Sequence, residues 1–271
     1  NQIAIAGYQT VLPWIRHDAL ADRWRELGVY DAWPRTRTHV NGRTIDVFPP
    51  EHRVLLISEF NYWPRYVFQG YQACTRELLE RNGDSYWGAE ESRPPDFVLY
   101  RSMPIDHRFP YMEDSQALLG LYYCYSPVLL ERGLVLFERK DDPPRHLPDP
   151  MLISEGLLPP NATLEVPQDS DRWQLLSLKF SDAHAGWFGR NTDYLMSVEY
   201  ADGRSKEFRV LPEMTDLPFL LNRFWDASTP VHQNNDYGED RVVSLRIHTE
   251  DDSTDWTVSY RLTAIDPPGT P

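Results

Sequence analysis

Apolar side chains recur at two different periods along this chain, near 3.6 in stretches of the first half and near 2 through most of the second. VLPWIRHDALADRWREL, residues 11–27, sets Leu12, Ile15, Ala19 and Trp24 toward one side of a predicted helix, with Gly28 as its stop. TIDVF (44–48) reads as a strand ended by Pro49-Pro50, which cannot continue a ladder. Residues 51–60 fit a short helix or a strand, and the prolines ahead, with Glu51 and Glu59, favour helix. YVFQ (66–69) reads as a strand, and TRELLER (75–81) as a helix closed by Asn82-Gly83. DFVLYR (96–101) follows Pro94-Pro95 as a buried strand. A cap at Asp114 or Ser115 opens a helix running to Tyr123, and PVLLE and LVLFERK form a hairpin about Arg132-Gly133 at a sheet edge. Strands alternating with helices predict a small helix-flanked, Rossmann-like sheet.

KDDPPRHLPDP, residues 140–150, holds four prolines and no apolar period, the mark of a stiff extended connector. Beyond it, WQLLSLKF, DYLMSVEYADGRSKEFRVL, DRVVSLRIHTE and DWTVSYRLTAI alternate between two faces, and Ala201-Asp202-Gly203 marks a hairpin turn. The expected fold class is therefore α/β plus all-β. An α/β domain over residues 1–143 precedes a jelly-roll-type β-sandwich over 144–271.

Composition narrows the function classes. With 41 acidic against 27 basic residues the formal charge is −14, a field that repels phosphate backbones and argues against nucleic acid as a partner. The longest apolar stretch, residues 117–130, is interrupted by Ser126 and Pro127 and is shorter than the ~20 residues of a membrane helix. Any export signal or membrane anchor is expected outside these 271 residues. Cys74 and Cys124 have no metal-binding spacing, and both a bridge and two free thiols remain open. The eight histidines are scattered singly, so no metal and no cofactor is expected.

One stretch stands apart. IDVFPPEHRVLLISEFNYWPRYVFQGYQACT, followed by PPDFVLYRSMPIDHRFPYMED and LVLFERK, resembles the extracytoplasmic C-terminal region of a family of bacterial multi-pass membrane proteins, some loosely described as glycosyltransferase-like. The resemblance covers about residues 44–140. It rests on Asp46 and Phe48; on Asn61, Tyr62, Pro64, Arg65, Val67, Phe68, Gln69 and Tyr71; on Pro95, Val98 and Leu99; and on Ile105, Asp106, Arg108, Phe109, Pro110, Glu113 and Asp114. Cys74 stands where that pattern has an aromatic residue. The resemblance implies a periplasmic or cell-surface domain, tethered to the cytoplasmic membrane through segments outside this sequence. It implies no chemistry.

The candidate ligand site is Asp46, Arg65, Gln69, Tyr71, Asp106, Arg108 and Asp114, because PIDHRFPYMED follows a strand and ligands of open α/β sheets sit at the carboxyl ends of strands. An Arg fork grips carboxylates or phosphates, Gln both donates and accepts, and a Tyr ring stacks on a sugar face. The competing explanation is structural, with Arg65 or Arg108 paired to Asp106 or Asp114 to pin loops. Carboxylate pairs such as Asp46 with Asp106, or Glu113 with Asp114, fit glycosidic acid-base work in principle, but among 41 acidic residues such pairs are easily found, and no catalytic residue is assigned. Residues 231–240 offer oxygen ligands without the EF-hand register and read as a solvated turn. Trp173, Trp187, Phe188, Trp225 and Trp256 read as sandwich core, with a glycan-stacking platform as the alternative. The sequence thus points to a non-catalytic accessory or ligand-binding region, related to envelope glycans. An enzyme acting on envelope polysaccharide or lipid-linked sugar, and a protein-docking module, are the rivals.

Overall fold

The computed structural model describes residues 33–48, 55, 60–88, 93–102, 104–168, 171–181, 194–222, 241–249 and 256–268. The helix expected over 11–27, nearly all of 51–60 and the loop 231–240 lie outside them, as do Trp187, Phe188 and Trp225. Helix α1 (Pro34–Val40) leads into β1 (Thr44–Val47), β2 (Asn61–Tyr62), α2 (Arg76–Trp87), β3 (Phe97–Tyr100), α3 (Ser115–Cys124), β4 (Tyr125–Glu131) and β5 (Leu134–Arg139). These strands form one sheet in the order β2-β1-β3-β5-β4, parallel across its first three members and antiparallel across the last three. The β4–β5 hairpin turns on Arg132 (φ 50°) and Gly133 (φ 77°), the paired positive φ values that match strand twist.

Alternation along these strands sends side chains to two covered faces. Ile45, Val47, Phe97, Leu99, Leu134 and Leu136 pack with Trp33, Val40 and Leu55 on one face. Val98, Tyr100, Val135 and Phe137 point the other way, toward the layer of α2 and α3. The two helices approach closely because Gly83 faces Gln116, where an added Cβ would lie 2.9 Å from the Gln116 Cβ.

Eight further strands make the second half: β6 (Met151–Leu158), β7 (Thr163–Glu165), β8 (Trp173–Phe180), β9 (Tyr194–Tyr200), β10 (Ser205–Val210), β11 (Phe219–Leu220), β12 (Val242–Thr249) and β13 (Val258–Ile265), with the short helix α4 (Pro212–Thr215) before β11. They form two four-stranded antiparallel sheets ordered β11-β8-β13-β6 and β10-β9-β12-β7. Successive strands mostly switch sheets, which gives the jelly-roll order. Leu176, Leu178, Met196, Val198, Leu245, Ile247, Val258 and Leu262 fill its interior. Trp173 and Trp256 are buried among aromatic neighbours, so both belong to the packing and not to an exposed platform.

Architecture changes at the connector, yet apolar packing runs through it. Trp173 meets Tyr122 and Tyr123 edge-on, with centroids 5.5 and 5.8 Å apart, and Phe109 packs the same way on Phe208 and Phe219. The Tyr123 hydroxyl donates to the Asp266 carbonyl, and the Gln116 amide donates to that of Pro218 at 2.9 Å.

Three local expectations are corrected. Residues 66–69 are not a strand: the Asn82 side chain takes both the Val67 N–H (2.6 Å) and the Val67 carbonyl (3.0 Å), and the Phe68 and Gln69 carbonyls accept from Arg65 and from Gln72 N. The helix starting at Arg76 does not stop at Asn82-Gly83 but continues to Trp87 and ends at Gly88 in the left-handed region (φ 81°). Asp114 precedes α3 without capping it: its own φ is 52°, and its carboxylate turns inward.

Candidate functional site

The inward turn of Asp114 begins a buried network at the carboxyl edge of the parallel strands. Asp46, at the third position of β1, points to the helical face, and Arg65 reaches it from the segment after β2. The side chains of Asp46, Arg65 and Asp114 are all fully buried. Arg65 Nε donates to Asp114 Oδ2 at 2.7 Å, and Nη1 donates to Asp46 Oδ2 (3.0 Å), the Val47 carbonyl (3.1 Å) and the Tyr86 hydroxyl (3.0 Å). Nη2 donates to the carbonyls of Phe48 (3.0 Å) and Phe68 (3.4 Å), while the guanidinium lies over the Phe48 ring at 4.6 Å. Tyr86 donates to Asp46 at 2.8 Å, and the Asn82 amide donates to both Asp114 oxygens at 3.0 Å. Gly70 lies so close that a Cβ there would meet Asp114 Oδ2 at 2.8 Å.

Two carboxylates share one guanidinium, so the network carries one surplus negative charge when both are ionised. Burial pushes the Asp114 carboxyl up to about 6, against the pull of Arg65 and Asn82. It raises Asp46 as well, opposed by Arg65, Tyr86 and the Val47 N–H.

PIDHRFPYMED does a second structural job. His107 accepts from Arg209 N through its carbonyl (2.8 Å), joining this loop to β10, and Phe109 plugs between Phe208 and Phe219. Arg108 Nη1 donates to Glu113 Oε1 (3.2 Å) and to the Tyr71 carbonyl (3.1 Å). Asp106 is 3.6 Å from Arg108 and largely exposed, with φ 52°. Gln69 is half-buried, and its carbonyl accepts from Gln72 N.

The seven candidate residues therefore divide. Asp46, Arg65 and Asp114 form the buried network, Arg108, Tyr71 and Asp106 meet around the loop, and Gln69 joins neither group by its side chain. Between the groups a cleft of about 30 Å³ is lined by Tyr71, Tyr100, Ser102, Glu113 and Asp114. That is about the space of one water molecule. Burial raises the Glu113 carboxyl to about 7 there, with Arg108 opposing. Cys74 and Cys124 are free thiols. Among the described residues no group of three His, Cys, Asp or Glu is placed to hold a metal, and no helix is long and apolar enough to cross a membrane.

A far larger concavity, about 750 Å³, opens on the outer face of the sheet holding β6, β13 and β8. Register places three cross-strand rows on its floor: Lys179–Ser259–Leu157, Ser177–Arg261–Glu155 and Leu175–Thr263–Leu152. Arg76 from α2 and Asp216, Leu217 and Pro218 from the turn before β11 add to its wall, so it straddles both halves of the chain. Arg76 pairs with Asp216 at 2.8 Å, and Arg261 with Glu155 at 3.4 Å. Sequence reading missed this groove, although its signal was present in the polar outward positions of WQLLSLKF and DWTVSYRLTAI. It also left out Asn82 and Tyr86, which complete the buried network.

No family model matches the chain, and no curated protein does. Among solved structures it is similar over 42% of its length to 27% of the AlgX chain of Pseudomonas aeruginosa, at 12% identity and a TM-score of 0.25. An overlap that low carries no argument about fold or activity.

Proposed function

We propose that this chain is a non-catalytic, extracytoplasmic ligand-binding region that holds an envelope-related glycan in the groove on the jelly-roll face. The observation that carries the reading is the groove itself, whose floor combines the Ser177, Ser259 and Thr263 hydroxyls with leucine side chains. Sugars present hydroxyls at their edges and apolar C–H faces, and an open concavity with sparse polar groups suits them. The buried candidate residues support the non-catalytic part, since Arg65 is saturated by protein acceptors. Glu113 and Asp114 are the one observation favouring an enzyme, but their cleft admits about one water. Localisation outside the cytoplasm, and a tether beyond these residues, follow from the sequence resemblance.

A thermal-shift screen against oligosaccharides tests the reading, because a ligand bound only to the folded state raises the melting temperature. A glycan that stabilises the wild type is expected to lose its effect with Ser259→Trp, which fills the groove. Absence of any stabilising glycan, or undiminished binding by S259W, refutes it.

A further inference from the structure

The groove contains five charged side chains, Arg76, Glu155, Lys179, Asp216 and Arg261. Four are consumed in pairs, Arg76 with Asp216 and Arg261 with Glu155, and Arg76 also meets Glu80 at 3.4 Å. Lys179 makes no ion pair with any described residue, and it stands exposed on β8 opposite Ser259. Its neighbours along the same outward row are Ser177 and Leu175. Ser259 in turn donates its hydroxyl to the Lys179 carbonyl at 3.3 Å, which fixes the hydroxyl beside the base of the lysine stem.

We propose that the groove selects an acidic oligosaccharide, one whose sugars carry carboxylates, and that Lys179 is the residue setting this preference. The proposal rests on the glycan-binding reading and deepens it. A protein of charge −14 repels anions at long range, but at physiological salt exposed charges are screened beyond about 8 Å. Inside that distance the individual partners decide: Arg76 is held by Asp216 and Glu80 and Arg261 by Glu155, which leaves Lys179 as the lining charge without a described carboxylate beside it. An ammonium that no protein carboxylate neutralises is available to a ligand carboxylate, and such a charge-assisted bond is stronger than a neutral one. Ser177, Ser259 and Thr263 lie in rows about 7 Å apart along the strands, a spaced set of hydroxyl partners that matches the repeated hydroxyls of an oligosaccharide.

The test is isothermal titration of the 271-residue chain with a galacturonic acid hexamer, with maltohexaose as the neutral sugar and hexaglutamate as the acidic peptide. The expected result is binding of the acidic sugar at least tenfold tighter than of the other two, weakening as salt rises. Lys179→Gln is expected to weaken it about tenfold, or 1.4 kcal/mol. Lys179→Arg should retain most of it, and Lys206→Gln on the opposite sheet should change nothing. Because Lys179 is exposed, K179Q is expected to leave the melting temperature unchanged, which separates lost binding from lost fold. Equal affinity for maltohexaose overturns the charge preference while leaving glycan binding standing. Equal affinity for hexaglutamate overturns the acidic-sugar assignment, and no binding of either sugar overturns the assignment and the function together.

Discussion

Arg65→Met separates a structural strut from a ligand grip. The substitution keeps most of the side-chain volume and removes the cation between two fully buried carboxylates, Asp46 and Asp114. It also deprives the Val47, Phe48 and Phe68 carbonyls of a donor. Breaking a buried ion pair from one side costs about 3–5 kcal/mol, because the remaining charge is left uncompensated. Against a total stability of about 5–15 kcal/mol, that removes much of the margin. Urea unfolding followed by far-UV circular dichroism and tryptophan fluorescence reads the loss, and coincidence of the two probes checks that a single free energy is meaningful. Combining R65M with Asp46→Asn and Asp114→Asn is expected to restore most of the stability, since members of one network do not add. If R65M unfolds within about 1 kcal/mol of the wild type, the buried network is not what holds this edge of the sheet together.

Three further outcomes are expected. Asp114 and Glu113 have folded pKa values raised to about 6 and about 7, so the folded state binds more protons than the unfolded one between about pH 4 and those values. Their contribution is therefore present at low pH and lost as pH rises, by about 3 kcal/mol for each. Asp114→Asn should flatten the stability profile between pH 4.5 and 7 in urea titrations, and a profile parallel to the wild type refutes the raised carboxyl. Gly83→Ala gains helix propensity of about 1 kcal/mol but forces a methyl against Gln116 at 2.9 Å, so a net loss of about 1–2 kcal/mol is expected. An unchanged or higher melting temperature would count against tight α2–α3 contact. Phe109→Ala empties the space between Phe208 and Phe219 and is expected to cost about 3–5 kcal/mol. Proteolysis within 140–150 should accelerate in that variant if the loop clamps the two halves together.

The jelly roll was legible because β8, β9 and β12 alternate buried with less buried positions over much of their length, so the period of two is written into residues such as Leu176, Leu178 and Phe180 against Ser177 and Lys179, whereas β6 and β11 carry no such alternation. The hairpin at Arg132-Gly133 was legible because its backbone demand is local. What failed was local evidence overruled at a distance. Asn82-Gly83 carries the usual stop signal, but Asn82 turns inward to bind Val67 and Asp114, and Gly83 lets α3 approach. The helix therefore runs on. Residues 66–69 have strand propensity, yet the amide of that same Asn82 occupies the backbone groups a neighbouring strand would need. Burial also sets the connector apart from a boundary between independent bodies: the composition of 140–150 marks the change of architecture, but nothing in it reports that Trp173 packs edge-on against Tyr122 and Tyr123.

For the candidate site, the sequence identified residues that act together without revealing for what. A buried strut and a ligand grip both need an arginine, facing carboxylates and a glycine for close approach, so Asp46, Arg65, Gly70 and Asp114 fit either description. The distinguishing quantity is unspent hydrogen-bonding capacity. Arg65 offers five N–H donors to six protein acceptors and has nothing left for a ligand. Lys179 offers three, and no described carboxylate takes any of them. The proposed ligand is therefore met not by Asp46, Arg65 and Asp114, which the fold has used, but by a sheet face whose serines, threonine and lysine look in sequence like ordinary solvent-facing positions.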